Sequence, residues 1–243
     1  MESWKSTASN YLLDITATIF KTKEDDNWLV KKILDKAGNK GTGNWATIAS
    51  AELGIPSTLI ASALFSRYMS YFKQERVQLN ELFDKTKTAS LEISSKVILE
   101  AYQFARIINH YQGFKLINEA SRAYNWDLNL SEIARIWTSG CIIKSTLMQD
   151  LVSVFKSTSN ILANTDFVTL LEQYKSSIKR VVSQSLLNNL STPALSEAIQ
   201  FFNGITTDYS SANVIQAQRD FFGAHTYKRI EDDTNKSYHT IWE

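Results

Sequence analysis

The sequence is poor in the residues that cross-link or punctuate a chain. Its single cysteine, Cys141, allows no intramolecular disulfide and no thiolate cluster among 243 residues. Two prolines and eight glycines are too few for a collagen-like, linker-like or disordered chain. An excess of one charge is missing too. The 26 Lys and Arg against 25 Asp and Glu leave a formal +1, which argues against the broad positive field of a nucleic-acid-coating or membrane-surface protein. No run of about 18 apolar residues occurs, and no apolar segment of a secretion signal follows MESWKSTASN, so the expected compartment is the cytoplasm. The three histidines and the cysteine lack metal-ligand spacing, and H-E-x-x-H, C-x-x-C and G-x-S-x-G are all absent, so a protein-bound metal is not expected.

What is present is helical. With 243 residues, 44% of them apolar, the chain is long enough to bury roughly 70% of its unfolded surface in one large or two modest cores. The expected class is all-α, a multi-helix domain with an extended C-terminal tail. Pro56, after Gly54, opens a helix through PSTLIASALFSRYMSYFKQERVQLNELF that runs about 25 residues, with Ile60, Leu64, Tyr68, Tyr71, Phe72 and Leu79 along one side. A long central helix is expected from near Leu91 to the neighbourhood of Tyr124, carrying Val97, Ala101, Ala105, Ile108, Gln112 and Leu116 on one face. Asn129, three residues before Glu132, marks a capping-box-like start for a short helix in NLSEIARIW. IIKSTLMQDLVSVF, FVTLLEQYKSSIKRVVSQSLL and PALSEAIQFFNGI share the helical period, separated by KSTSN and NNLST. EDDTNKSYHTIWE does not, and reads as a tail that docks on its own chain or on another. The expected division is a helical domain over 1–218 and a tail over 219–243.

An internal echo suggests duplicated helical units. WKS then YLLDITATIF near the start resembles WTS then STLMQDLVSVF, matching Trp4 with Trp137, Leu12-Leu13 with Leu147-Met148, and Ile19-Phe20 with Val154-Phe155. A long helix precedes Trp137, whereas only three residues precede Trp4. If the echo marks a repeat, the first unit is expected to begin part-way through.

The densest chemical signal is DKAGNKGTGNW, residues 35–45. Gly38, Gly41 and Gly43 permit close backbone approach, Thr42 offers a hydroxyl, and Lys36 and Lys40 bring charge, which suits a bound phosphate or carboxylate and equally a surface turn. It is neither G-x-G-x-x-G nor G-x-x-x-x-G-K-[ST], so the ordinary Rossmann and P-loop assignments fail. Arg67, between apolar neighbours, either packs its stem with its head in water or points into a polar cleft. Arg219 and His225 flank Gly223, where a helix is expected to end; the pair suits an anionic or hydroxylated ligand, or simple helix-end packing. His110 reads as a packed histidine, His239 as a dock for the tail, Cys141 as a small buried hydrophobe, and Asp25-Asp26 and Asp232-Asp233 as solvated turns.

YLLDIT, ILDKAGNKGTGNW, LFSRYMSYFKQERV, YQFARIINHYQGFKLINEASRAYNWDLNLSEIARIWTSGCIIKS and NVIQAQRDFFGAHTYKR together resemble the all-helical C-terminal domain of the decarboxylating 6-phosphogluconate dehydrogenases, over nearly the whole chain. The resemblance implies a cytoplasmic homodimer of the pentose phosphate pathway that converts 6-phosphogluconate to ribulose 5-phosphate and CO2 while reducing NADP. It implies substrate-binding roles for Lys40 and Thr42 in the KGT segment, Arg67 in the F-x-R helix, and Arg219 and His225 in a tail that reaches the neighbouring subunit's site. No catalytic, cofactor-binding or metal-binding residue is expected in this chain. The family's Rossmann domain and the long helix with its catalytic lysine and glutamate have no counterpart in the sequence, so the isolated chain is expected to be inactive, with NADP belonging to the complete enzyme and a separately encoded N-terminal portion as a candidate partner. The competing reading is a stand-alone helical phosphosugar-binding or protein-interaction domain. Neither reading involves nucleic acid or a membrane.

Overall fold

Side-chain caps and apolar stripes cut the chain into helices. The computed structural model describes residues 2–4, 6–83 and 92–242. Its α-helices are α1 (Tyr11–Lys21), α2 (Thr42–Glu52), α3 (Thr58–Tyr71), α4 (Lys73–Leu82), α5 (Ser95–Ala123), α6 (Leu130–Ile136), α7 (Thr146–Val154), α8 (Thr165–Leu187), α9 (Pro193–Ile205) and α10 (Ala212–Gly223). The sole sheet among the described residues is a hairpin of β1 (Lys23–Glu24) and β2 (Asn27–Trp28), with Lys23 opposite Trp28. Asp25 and Asp26 make its turn at φ 46° and 62°, a conformation their short polar side chains tolerate. None of the described helices is long and apolar enough to cross a membrane.

The all-helical expectation holds, and the expected cap at Asn129 is formed. Asn129 Oδ1 accepts from the Glu132 N–H at 3.2 Å to start α6, and Ser94 Oγ caps α5 through the Val97 N–H. The expected start of α5 near Leu91 lies outside the described residues. Internal contacts separate two units, Met1–Phe201 and Phe202–Glu243. In the first, α5 is the central element and packs most extensively on α8. Phe104, Ile107, Ile108 and Phe114 of α5 and Leu171, Ile178 and Val181 of α8 are buried. Each such side chain contributes about 1.5–3 kcal/mol relative to exposure.

The helix expected from Pro56 through Phe83 is two helices. The chain turns at Phe72 (φ −79°, ψ 43°), because Arg76 of α4 donates to the Ser70 carbonyl and to the Asp35 carboxylate, each within 3.3 Å. Ser70 Oγ closes the end of α3 by donating to the Arg67 carbonyl at 2.6 Å, and accepts from the Ala37 N–H. The Ser70 carbonyl at the break therefore keeps a partner.

The sequence echo has a structural counterpart. α1 and α7 begin at a shared antiparallel bridge between Asn10 and Ser145, where the Tyr11 N–H donates to the Lys144 carbonyl and the Thr146 N–H to the Ser9 carbonyl. Each bridge residue caps its own helix: Asn10 Oδ1 accepts from Leu13 and Ser145 Oγ from Met148, the matched pair of the echo, and both matched side chains are buried.

The second unit contains α10 and the chain that follows it. Residues 218 and 219, the expected boundary, both lie within α10. Beyond it Tyr227 and Tyr238 form an antiparallel bridge, and the tail folds back on α10 of its own chain.

Candidate functional site

In the first unit, the chain before α2 and the side of α3 form a cleft of about 270 Å³, lined by Asn39, Lys40, Thr42 and Arg67 among others, with Asn109 of α5 contributing. Gly41 precedes α2 at φ 93°, a conformation costly for any other residue, and its N–H is taken by Asn39 Oδ1 at 2.7 Å. A Cβ on Gly43 would lie 3.3 Å from Leu64 Cδ1, so glycine here lets the first turn of α2 lie close against α3. No side chain caps α2, which leaves the positive end of an 11-residue helix at the cleft.

Arg67 is held by the seating of α3. Gln112 of α5, almost fully buried, accepts from the Leu59 N–H at 3.0 Å and donates to Thr58 Oγ1 at 3.1 Å, so the start of α3 is tied to the core helix. Lys40, Thr42 and Arg67 are themselves exposed at the cleft. The lining carries two cations and no carboxylate. The nearby acid, Asp35, is committed elsewhere: Lys73 (2.7 Å) and Arg76 (3.0 Å) bond to it and hold its pKa at about 2. Such a cleft favours a compact anion with several acceptor oxygens, which a phosphate ester supplies.

The sequence-predicted residues thus fall into two groups. Lys40, Thr42 and Arg67 share the cleft, together with Gly41 and Gly43, whereas Lys36 and Gly38 of the same loop do not line it. Arg219 and His225 belong to the second unit. Arg219, exposed on α10, donates from Nη1 to Gln216 Oε1 at 3.3 Å. His225 is exposed, with its ring edge-on to Phe222 at 5.9 Å. His225, Thr226, Gln216 and Trp242 also line a separate cavity of about 610 Å³ within that unit.

Asn109 and Asp220 escaped the sequence reading. Asn109 sits on the exposed side of α5, out of phase with buried Ile107, Ile108 and Tyr111, and that phase was the available signal. Its neighbour His110 bonds back to the Arg106 carbonyl at 2.7 Å; burial draws its pKa from 6.5 down to about 4, so it is a neutral, structural histidine. His239 docks the tail, with Nδ1 donating to Asp220 Oδ1 at 2.9 Å. Cys141 is half-buried, its thiol donating to the Trp137 carbonyl.

A family model described as 6-phosphogluconate dehydrogenase, C-terminal domain, matches residues 1–242. The decarboxylating 6-phosphogluconate dehydrogenase of Haemophilus influenzae is 40% identical over 98% of this chain and 51% of its own length. That of Lactococcus lactis is 36% identical over 99% of this chain and 52% of its own. The chain therefore spans about half the length of the curated relatives it matches. Among solved structures, Plasmodium falciparum 6-phosphogluconate dehydrogenase, described in apo form and in complexes with its cofactor NADP+ and its substrate 6-phosphogluconate, superposes with a TM-score of 0.92 at 33% identity, covering 99% of this chain and 54% of that one.

Proposed function

The chain belongs to the 6-phosphogluconate dehydrogenase family, as its C-terminal domain, and on that premise we propose that it forms the phosphate-recognising half of an enzyme that oxidises and decarboxylates 6-phosphogluconate. The observation that carries this reading is the cleft with Lys40, Thr42 and Arg67 at the start of α2, cationic and free of carboxylates.

In this reading Lys40 and Arg67 neutralise the phosphate, the Thr42 hydroxyl and the first N–H groups of α2 complete its hydrogen bonds, and Arg219 and His225 bind the phosphate and the hydroxylated chain from the tail. Fixing the far end of the substrate contributes to catalysis by holding the reacting carbon in place, so binding energy spent here appears in rate. Oxidation at the alcohol carbon needs a hydride acceptor and a base, and loss of CO2 from the resulting β-keto acid needs an acid to protonate the enediol. No residue of this chain takes those roles. NADP, as the hydride acceptor, and the acid and base belong with the other half of the enzyme, so these 243 residues alone turn over no substrate.

The division of labour between 1–218 and the tail 219–243 is part of the same proposal, with the tail serving a partner subunit's site. Its support is the apolar surface of α10, where Val214, Ile215, Phe221 and Phe222 are all more than half exposed. Light scattering at micromolar concentration should give a dimer; a 27.6 kDa species alone would remove the partner-subunit assignment. Calorimetric titration with 6-phosphogluconate tests the cleft. Binding should weaken at least about tenfold in Arg67→Ala, the loss of a charge-assisted contact of about 1.4 kcal/mol or more, and equal affinity would exclude Arg67.

A further inference from the structure

We propose that Asp220 is the positioning residue of the tail: its buried carboxylate folds residues 224–242 onto α10 and thereby sets Arg219 and His225 for the substrate. The inference rests on the reading of Arg219 and His225 as substrate-binding residues.

Asp220 has no exposed surface. A carboxylate in the last turn of a helix also opposes the helix dipole, so its site must supply compensation. Four donors do so. Oδ1 accepts from the Thr226 N–H (3.0 Å) and His239 Nδ1 (2.9 Å), and Oδ2 from the Thr240 N–H (3.0 Å) and Trp242 Nε1 (3.0 Å). All four come from the chain after α10. Burial alone would raise the pKa of this acid, but the bonds from His239, Thr240 and Trp242 outweigh it and hold the value at about 2, so the anion persists.

The segment held in this way is not relaxed. Ala224 and Thr226 have φ of 49° and 60°, in the left-handed region that a β-branched residue rarely enters. His225 lies between them. A Cβ on Gly223 would lie 2.7 Å from His225 Nε2, so the ring occupies space that only glycine leaves open. Thr226 is secured on both sides, its N–H by Asp220 and its carbonyl by Gln216 Nε2 at 2.5 Å. Removing the Asp220 acceptor releases the strained turn, and with it the place of His225. Arg219 is linked to the same turn through Gln216, whose Oε1 accepts from Arg219 Nη1 while its Nε2 donates to the Thr226 carbonyl.

Asp220→Asn tests this with almost no change in shape. An amide keeps one accepting oxygen and turns its NH2 toward donors, so at least two of the four donors lose their acceptor. Trypsin cleavage after Lys228, Arg229 and Lys236, read by mass spectrometry, should accelerate at least about tenfold, with the helical signal unchanged. Trp242→Phe, which removes one donor from a half-exposed residue, should accelerate it less. The affinity for 6-phosphogluconate should fall at least about fivefold in Asp220→Asn, and the same substitution made in an Arg219→Ala, His225→Ala background should cost nothing further, which a general loss of stability would not reproduce. Unchanged cleavage in Asp220→Asn overturns the proposal. So does faster cleavage at unchanged affinity when Arg219→Ala does weaken binding, because the tail is then held but positions nothing. If neither Arg219→Ala nor His225→Ala alters affinity, the substrate-binding reading itself fails and takes the positioning role with it.

Discussion

The two units hold their candidate residues by opposite means. The cleft of the first stands on a hydrophobic core: α3 is tied through Gln112 to α5, whose inner face is a continuous stripe of buried apolar side chains. In the second, among the described residues 202–242, only Phe202 and Asp220 are buried. Apolar burial with one buried amide tie at Gln112 places Arg67, whereas four directional hydrogen bonds to one carboxylate place the tail. Apolar packing tolerates small adjustments and fails by cavity; a polar clamp tolerates loss of volume and fails by the wrong proton.

That contrast can be broken most forcefully in the core. Phe104→Ala removes a fully buried side chain from α5 and should destabilise the first unit by about 3–5 kcal/mol in denaturant titration, leaving tail cleavage by trypsin at its original rate. A parallel change in the tail would mean that the two units unfold as one. Next in size, Gln112→Ala strips the Leu59 N–H of its acceptor; about 1–3 kcal/mol of stability should go, and a wild-type melting curve would show that α3 is seated without this bond.

Acid should separate the units as well. His110 is neutral when folded and has its pKa drawn to about 4, whereas the unfolded chain takes up the proton near 6.5, so the stability of the first unit should decline as pH falls from about 6.5 to about 4. In His110→Gln that decline should flatten, as followed by circular dichroism. The Asp220 clamp behaves differently. Its pKa is depressed from 3.8 to about 2, so its contribution is complete above about 3.8 and is lost only as pH falls through about 2. The smallest effect concerns the strained turn. Thr226→Gly relieves φ 60° but frees the unfolded chain, and the opposing terms should leave tail opening within about 1 kcal/mol of wild type by hydrogen exchange.

Local chemistry made the helices legible. Asn129 and Glu132, Pro193 at the start of α9 and the apolar period of α5 each act within a turn or two. The break at Phe72 was not legible, because Arg76 draws on Asp35, 41 residues earlier, and no periodicity in the helix itself registers that partner. For the cleft, local residues left a choice between an anion loop and a surface turn. The resemblance named Lys40, Thr42 and Arg67, and the fold supplies what neither did: the seat of α3 and the place of Asn109. Asp220 was hidden for the same reason as the break, since three of its donors lie 19 to 22 residues downstream and an Asp beside an Arg reads as ordinary surface.

The bridge at Asn10 and Ser145 bears on the order in which the chain assembles. Ser9 and Thr146, which bond across it, are 137 residues apart, and closing a loop of that length costs about 4 kcal/mol in chain entropy before any contact offsets it. The pairings of α5 with α8 and of α6 with α7 close much shorter stretches of chain and can form early. The first helix is therefore expected to arrive last, onto a surface already formed, and pulse-labelled refolding should show the Tyr11 amide gaining protection after those of α5 and α8.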